Sequence, residues 1–213
     1  MRQHKCYKTI LSGFISDRNK PAFGFIIGGA ALFFSFTVLA QDFSTNDIRV
    51  DPLLAKMTLD EKIGQMVQVD MNALQDKADI QKYFLGSMLS GGGSDPSPDN
   101  SAHSWLRAVN GYEAWALKTR LKIPLIYGID AVHGHNNIDG AVIFPHHIGL
   151  GATRDPALVR QAEHITAEEV AGTGIRWAFD PCIAVTQNER WGRTYESFGE
   201  NTWLVAELGA AAV

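Results

Sequence analysis

Asp130 closes an apolar run of Leu125, Ile126, Tyr127 and Ile129, which Pro124 opens and His133-Gly134-His135 follows. A short hydrophobic run bounded by Pro and Gly reads as a buried strand. A carboxylate at the C-terminal end of such a strand, beside a Gly-punctuated polar loop, stands where parallel α/β architectures place their chemistry. Its bland alternative is a turn cap, with the carboxylate accepting from nearby backbone N–H groups. A second polar cluster runs from Pro181 to Glu200, PCIAVTQNERWGRTYESFGE. There Arg190 and Arg193 flank Trp191 and Gly192, with Glu189, Glu196 and Glu200 close in sequence. A surface ion-pair network accounts for Arg190; Trp191 is expected under the loop, with its ring also suited to stacking.

The histidines invite a metal reading. His133-Gly134-His135 after a strand resembles the paired ligands of barrel-type metal hydrolases, and His146-His147 lies close enough in sequence to complete it. Residues two apart in a Gly-containing loop need not point the same way, and no strand-end His or Asp elsewhere fills a set of three ligands. The expectation is therefore no metal and no cofactor, with histidines that order the loop around Asn136, Asn137 and Asp139. Gly91-Gly92-Gly93 lacks the Lys and the following helix of a phosphate loop. Cys182 beside Pro181 and Ile183 reads as a small core residue.

The elements that position these residues alternate. Asp51-Pro52 starts a short helix, Asp as cap and Pro at the first helical position. Thr58 to Glu61 forms a capping box opening a second. A first strand is expected over Gln65–Val69, a helix over Asp76–Phe84 and a second strand over Gly86–Leu89. Trp105, Val109, Tyr112 and Ala116 recur at helical spacing, so Ser104 to Arg120 is an amphipathic helix. The third strand is Leu125–Ile129. Tight turns from Pro145 to Thr153 feed a helix capped by Asp155-Pro156, with Leu158, Ala162 and Ile165 on its core face. Trp177-Ala178-Phe179 makes a fourth strand, and a last helix starts near Asn201. The fold class is α/β with about four βα units on a parallel sheet.

Residues 1–40 stand apart. Arg2, Lys5, Lys8, Arg18 and Lys20 precede an apolar run from Ala22 to Ala40, whose small residues at the end suit cleavage. That is the order of a signal peptide, although a run of 19 residues also approaches the roughly 20 of a membrane anchor. Either reading means export, periplasmic or extracellular, with no stable membrane insertion once the signal is cleaved. Residues 41–50 are a polar lead-in. Of the chain's 19 basic and 23 acidic residues, the leader holds five and one, so 14 and 22 remain beyond it. This acidic balance argues against nucleic acid or anionic lipid as a partner. Cys6 lies in the leader and leaves Cys182 alone, so no disulfide forms within the remainder.

GIDAVHGHNN around Asp130, the stretch from Pro145 to Thr153 and ERWGRTYE around Arg193 together resemble the N-terminal part of a family 3 glycoside hydrolase, of the β-glucosidase and exo-β-glucanase kind. The resemblance runs from Asp51 to Val213. It implies part of a (β/α)8 TIM-like barrel, which takes roughly 250 residues when whole, so residues 51–213 read as a fragment of it. It also implies hydrolysis of β-linked glucosides with retention, for which two carboxyl groups stand roughly 5 Å apart. By the same resemblance the nucleophile and acid/base lie beyond Val213, and Asp130 and Arg193 bind the innermost sugar. A carboxylate suits two adjacent hydroxyls because each oxygen takes one donor in a charge-assisted bond. Glu196 either orients Arg193 or is purely structural, and with His133 and Trp191 it is a supporting candidate. Two other readings stay open: a metal-dependent amidohydrolase on a similar barrel, and a non-catalytic secreted sugar-binding module.

Overall fold

The computed structural model describes residues 47–213. The leader, with its reading as signal or anchor, lies outside them. Four strands, β1 (Gln68–Asp70), β2 (Ser87–Ser90), β3 (Ile126–Ile129) and β4 (Trp177–Ala178), pair in parallel in the order β1-β2-β3-β4. Parallel neighbours need a crossover between them. Helix α3 (Ala78–Lys82) supplies the first and α4 (Ala102–Ala116) the second; α5 (His147–Thr153) and α6 (Pro156–Gly172) share the third. Helices α1 (Asp47–Lys56) and α2 (Leu59–Gln65) precede the sheet, and α7 (Thr202–Ala212) follows β4. The expected parallel α/β arrangement of about four units is what forms. Among the described residues no helix is long and apolar enough to cross a membrane.

Local rules explain most boundaries. Thr58 Oγ1 accepts from Glu61 N at 3.2 Å while Glu61 Oε2 accepts from Thr58 N at 2.8 Å, the reciprocal box expected of that sequence. Arg120 then grips the same carboxylate and the Lys56 carbonyl, tying α2 to the segment after α4. Trp105, Val109, Tyr112 and Ala116 are all buried against the sheet with Met88, Tyr127 and Ile129. Asp155 Oδ1 caps α6 by accepting from Ala157 N and Leu158 N, with Pro156 in the first turn.

Four expectations are corrected. α1 starts at Asp47, upstream of the Asp51 cap, and carries Pro52 inside it; on so exposed a helix water satisfies the carbonyl that Pro leaves free. α2 runs on to Gln65, so β1 begins only at Gln68. The turns expected between Pro145 and Thr153 include a real helix, α5, whose Gly151 packs so closely on the segment before α7 that a Cβ there would stand 1.9 Å from the Phe198 carbonyl oxygen. Of the expected α6 stripe Ala162 is buried, but its neighbours on the core face are Val159, Thr166 and Val170 in place of Leu158 and Ile165, and Leu158 is 43% exposed. A second core of Leu150, Val159, Phe198, Val205 and Leu208 joins α5, α6 and α7.

Candidate glycone-binding site

Asp130 follows the last residue of β3, and its N–H donates to the Ser90 carbonyl at the end of β2. Its own carbonyl accepts from Asn137 Nδ2 at 2.8 Å. The backbone is therefore held on both sides, while the carboxylate accepts no hydrogen bond among the described residues. No backbone N–H among the described residues donates to it, as a turn cap would require. Burial pushes the Asp130 carboxyl up, Arg193 opposes this, and Glu196 adds to it. The three groups thus feel one another's charge. Gly91, just beyond β2, makes room for the carboxylate: a Cβ there would stand 2.0 Å from Asp130 Oδ2.

Arg193 enters from the segment after β4. It precedes a single 3₁₀ turn, Thr194–Glu196, and its Nε donates to Glu196 Oε2 at 2.9 Å while Nη2 contacts the same oxygen. The Glu196 side chain is buried and the Arg193 side chain is exposed. Arg193 accordingly holds the Glu196 carboxyl below its usual range. A fixed carboxylate that anchors one edge of a guanidinium leaves the remaining N–H groups for a ligand. Trp191 is exposed rather than buried under the loop as expected, and its backbone N–H donates to the Asn188 carbonyl. Arg190 forms no ion pair among the described residues, contrary to expectation; only its backbone N–H is engaged, by Asn188 Oδ1.

His133 and His135 diverge. The His133 ring lies 4.2 Å from that of His146, which lies 4.6 Å from Tyr195, forming a ring ladder beside the Arg193–Glu196 turn. Burial, then the neighbouring His146, pushes His133 down. His135 is fully buried, edge-on to Trp105 and 3.2 Å from Thr173 Oγ1, and burial lowers it to about 4. The ligand set that does converge is a different one: His147, Glu163 and Asp180. Neither His133 nor His135 belongs to it; Asp180 lies two residues beyond β4, much as Asp130 lies just beyond β3. An apolar strand ending in Asp was the available signal for it. Cys182 is half-buried.

The family model described as Glycosyl hydrolase family 3 N terminal domain matches residues 58–213. The chain is similar to the lysosomal beta glucosidase of Dictyostelium discoideum, 36% identical over 186 residues that cover 80% of this chain and 23% of that protein. It is similar to the periplasmic beta-glucosidase of Salmonella typhimurium, 32% identical over 78% of this chain and 20% of that protein. Among solved structures it is similar to the exo-1,3/1,4-beta-glucanase of a Pseudoalteromonas species, with 39% identity and a TM-score of 0.72 over 79% of this chain and 21% of that one. The beta-glucosidase of Listeria innocua in complex with glucose gives 30% identity and a TM-score of 0.61, over 78% of this chain and 23% of that one. The chain thus spans about a fifth to a quarter of the length of the relatives it matches. A parallel sheet in chain order, a carboxylate at the end of β3 and a family match over most of the chain agree: the protein belongs to glycosyl hydrolase family 3 and carries its N-terminal, TIM-barrel-like α/β domain over residues 58–213.

Proposed function

We propose that the full-length protein hydrolyses β-glucosidic bonds in glucosides or β-glucan oligosaccharides with retention, and that this chain supplies part of the pocket for the innermost sugar. The observation that carries the reading is an unengaged Asp130 carboxylate at the end of β3 within electrostatic reach of an Arg193 held by Glu196. One offers acceptors and the other donors, the combination that a ring of adjacent hydroxyls requires. Relatives named as beta-glucosidases, and one of them in complex with glucose, support the substrate class. Export follows from the order of residues 1–40 and is supported by a relative named as periplasmic. Sequencing the N-terminus of the exported protein checks it: a chain beginning near Gln41 is expected.

The test of the site uses Asp130→Ala and Asp130→Asn in the full-length protein. A charge-assisted hydrogen bond is worth roughly 1.5–3 kcal/mol, so losing one lowers kcat/KM by about 10- to 150-fold and losing two by more. Folding suffers less, because an exposed carboxylate is hydrated when no sugar is bound. A variant that melts early yet turns over normally per folded molecule removes Asp130 from the site. A wild-type protein that binds glucosides without any turnover leaves a sugar-binding module instead.

A further inference from the structure

Three elements far apart in the chain bring one imidazole and two carboxylates to a point: His147 opening α5, Glu163 within α6 and Asp180 after β4. One ligand atom from each lies within 4.8 Å of the others. His147 Nε2 is 3.1 Å from Asp180 Oδ1 and 3.6 Å from Glu163 Oε1. The opposite ring nitrogen fixes what Nε2 presents. Nδ1 lies 2.8 Å from the Glu196 carbonyl oxygen, which can only accept, so Nδ1 donates and a neutral ring turns its Nε2 lone pair toward the carboxylates. Nε2 and Asp180 Oδ1 are both buried with no hydrogen-bond partner. Acceptors facing one another this closely require a positive charge among them.

A proton is one such charge: burial opposes it, but the carboxylates of Asp180 and Glu163 hold His147 well above its usual value. It serves incompletely. Neither carboxylate has a Lys or Arg partner among the described residues. With the ring neutral the cluster carries two negative charges on side chains that are 0%, 10% and 5% exposed, an expensive arrangement. One proton leaves a single negative charge; a second, on a Glu163 carboxyl that burial pushes up, or one divalent cation, leaves none. Size agrees as well. Ligands at about 2.0–2.2 Å from a tetrahedral metal stand about 3.3–3.6 Å apart; the two edges at His147, 3.1 and 3.6 Å, fit this to within a few tenths of an ångström, and the carboxylate pair lies within 4.8 Å. A backbone carbonyl on Nδ1 is the usual outer partner of a metal-bound imidazole. Phe198, stacked on the ring with centroids 4.4 Å apart, fixes its plane.

We propose that His147, Glu163 and Asp180 form a binding site for a divalent cation of the zinc class, separate from the Asp130–Arg193 pocket. The mixed imidazole and carboxylate donors suit such an ion. Bound there, it ties α5, α6 and the end of β4 together directly behind the 3₁₀ turn, since the same imidazole holds the Glu196 carbonyl while the Glu196 side chain holds Arg193.

The test is direct and does not depend on glycosidase activity. Full-length protein, purified without a histidine tag, is stripped with chelator, dialysed and titrated with Co2+. The expected result is one equivalent bound, with the visible absorption of a tetrahedral site, which Zn2+ displaces, and a melting temperature that rises with either ion. Glu163→Gln and Asp180→Asn each weaken Co2+ binding by more than about 100-fold, and Asp130→Ala leaves it unchanged. A wild-type protein that binds neither ion and melts the same with and without chelator overturns the proposal and leaves an imidazolium between two carboxylates. Cobalt bound equally by wild type and both variants also overturns it. The wild-type readings decide the matter even where a variant fails to fold.

Discussion

Gly91 shapes the candidate sugar site without offering it a single atom. Because a Cβ there would stand 2.0 Å from Asp130 Oδ2, Gly91→Ala must push the carboxylate aside. The expected outcome is a fall in kcat/KM of more than about 10-fold in the full-length protein, the loss of one charge-assisted bond. Gly172→Ala, with open space around it, serves as the control and changes kcat/KM little. His135 makes a prediction in pH. Burial holds its folded pKa near 4 against an ordinary 6.5, so the folded ring stays neutral where the unfolded one takes a proton. Its contribution to stability is complete above about pH 6.5, declines as pH falls from there to about 4, and changes no further below that. Denaturant midpoints of wild type and His135→Gln, compared across that window, check it: the variant's curve is the flatter.

Helix starts carry their own stakes. Asp155 serves two N–H groups of α6, so Asp155→Ala costs about 1 kcal/mol, read as a lower denaturant midpoint with an unchanged slope. At α4 the acid is Asp99, which accepts from Ser101 and Ser104, and these bonds hold its carboxyl down at about 2. The stability it lends is present above about pH 4 and is lost as pH falls toward 2, a loss that Asp99→Asn removes. The caps and the α4 stripe were legible in the sequence because each depends on residues within one or two turns. Strand edges were less so: Gln65–Val67 is apolar enough for a strand, but α2 continues into it. α5 was hidden by Gly149 and Gly151, which read as turns although Gly151 answers a contact 47 residues away with Phe198. Asp130 stood out as a strand-end carboxylate. Glu163 did not, since nothing local separates it from Glu168 and Glu169 on the same helix, and only the fold buries it.

At the scale of the molecule, the described sheet has two free edges, β1 and β4, and Trp203 on α7 is 84% exposed. Unpaired parallel edges and bare aromatic surface invite association. Residues 41–213 produced alone are therefore expected to self-associate and to show no turnover of an aryl β-glucoside, given that they span about a fifth to a quarter of the relatives' length. Size-exclusion chromatography and a colorimetric assay check both. A monodisperse, active fragment would mean that the catalytic carboxylates are already within it.

The strand order β1-β2-β3-β4 also bears on how the chain is made. Every pairing in the described sheet joins strands that are consecutive in the chain, β1 with β2, β2 with β3 and β3 with β4. Emerging from the ribosome at about 5–20 residues per second, the polypeptide completes each of these three pairings without waiting for a distant partner. The growing edge is laid down strand by strand, and each crossover helix is available to cover its newest pair before the next strand arrives. The Asp130 end of β3 is thus framed by β2 on one side well before Arg193, 63 residues later, is translated. Of the two halves of the proposed sugar pocket, the acceptor is set first and the donor closes onto it.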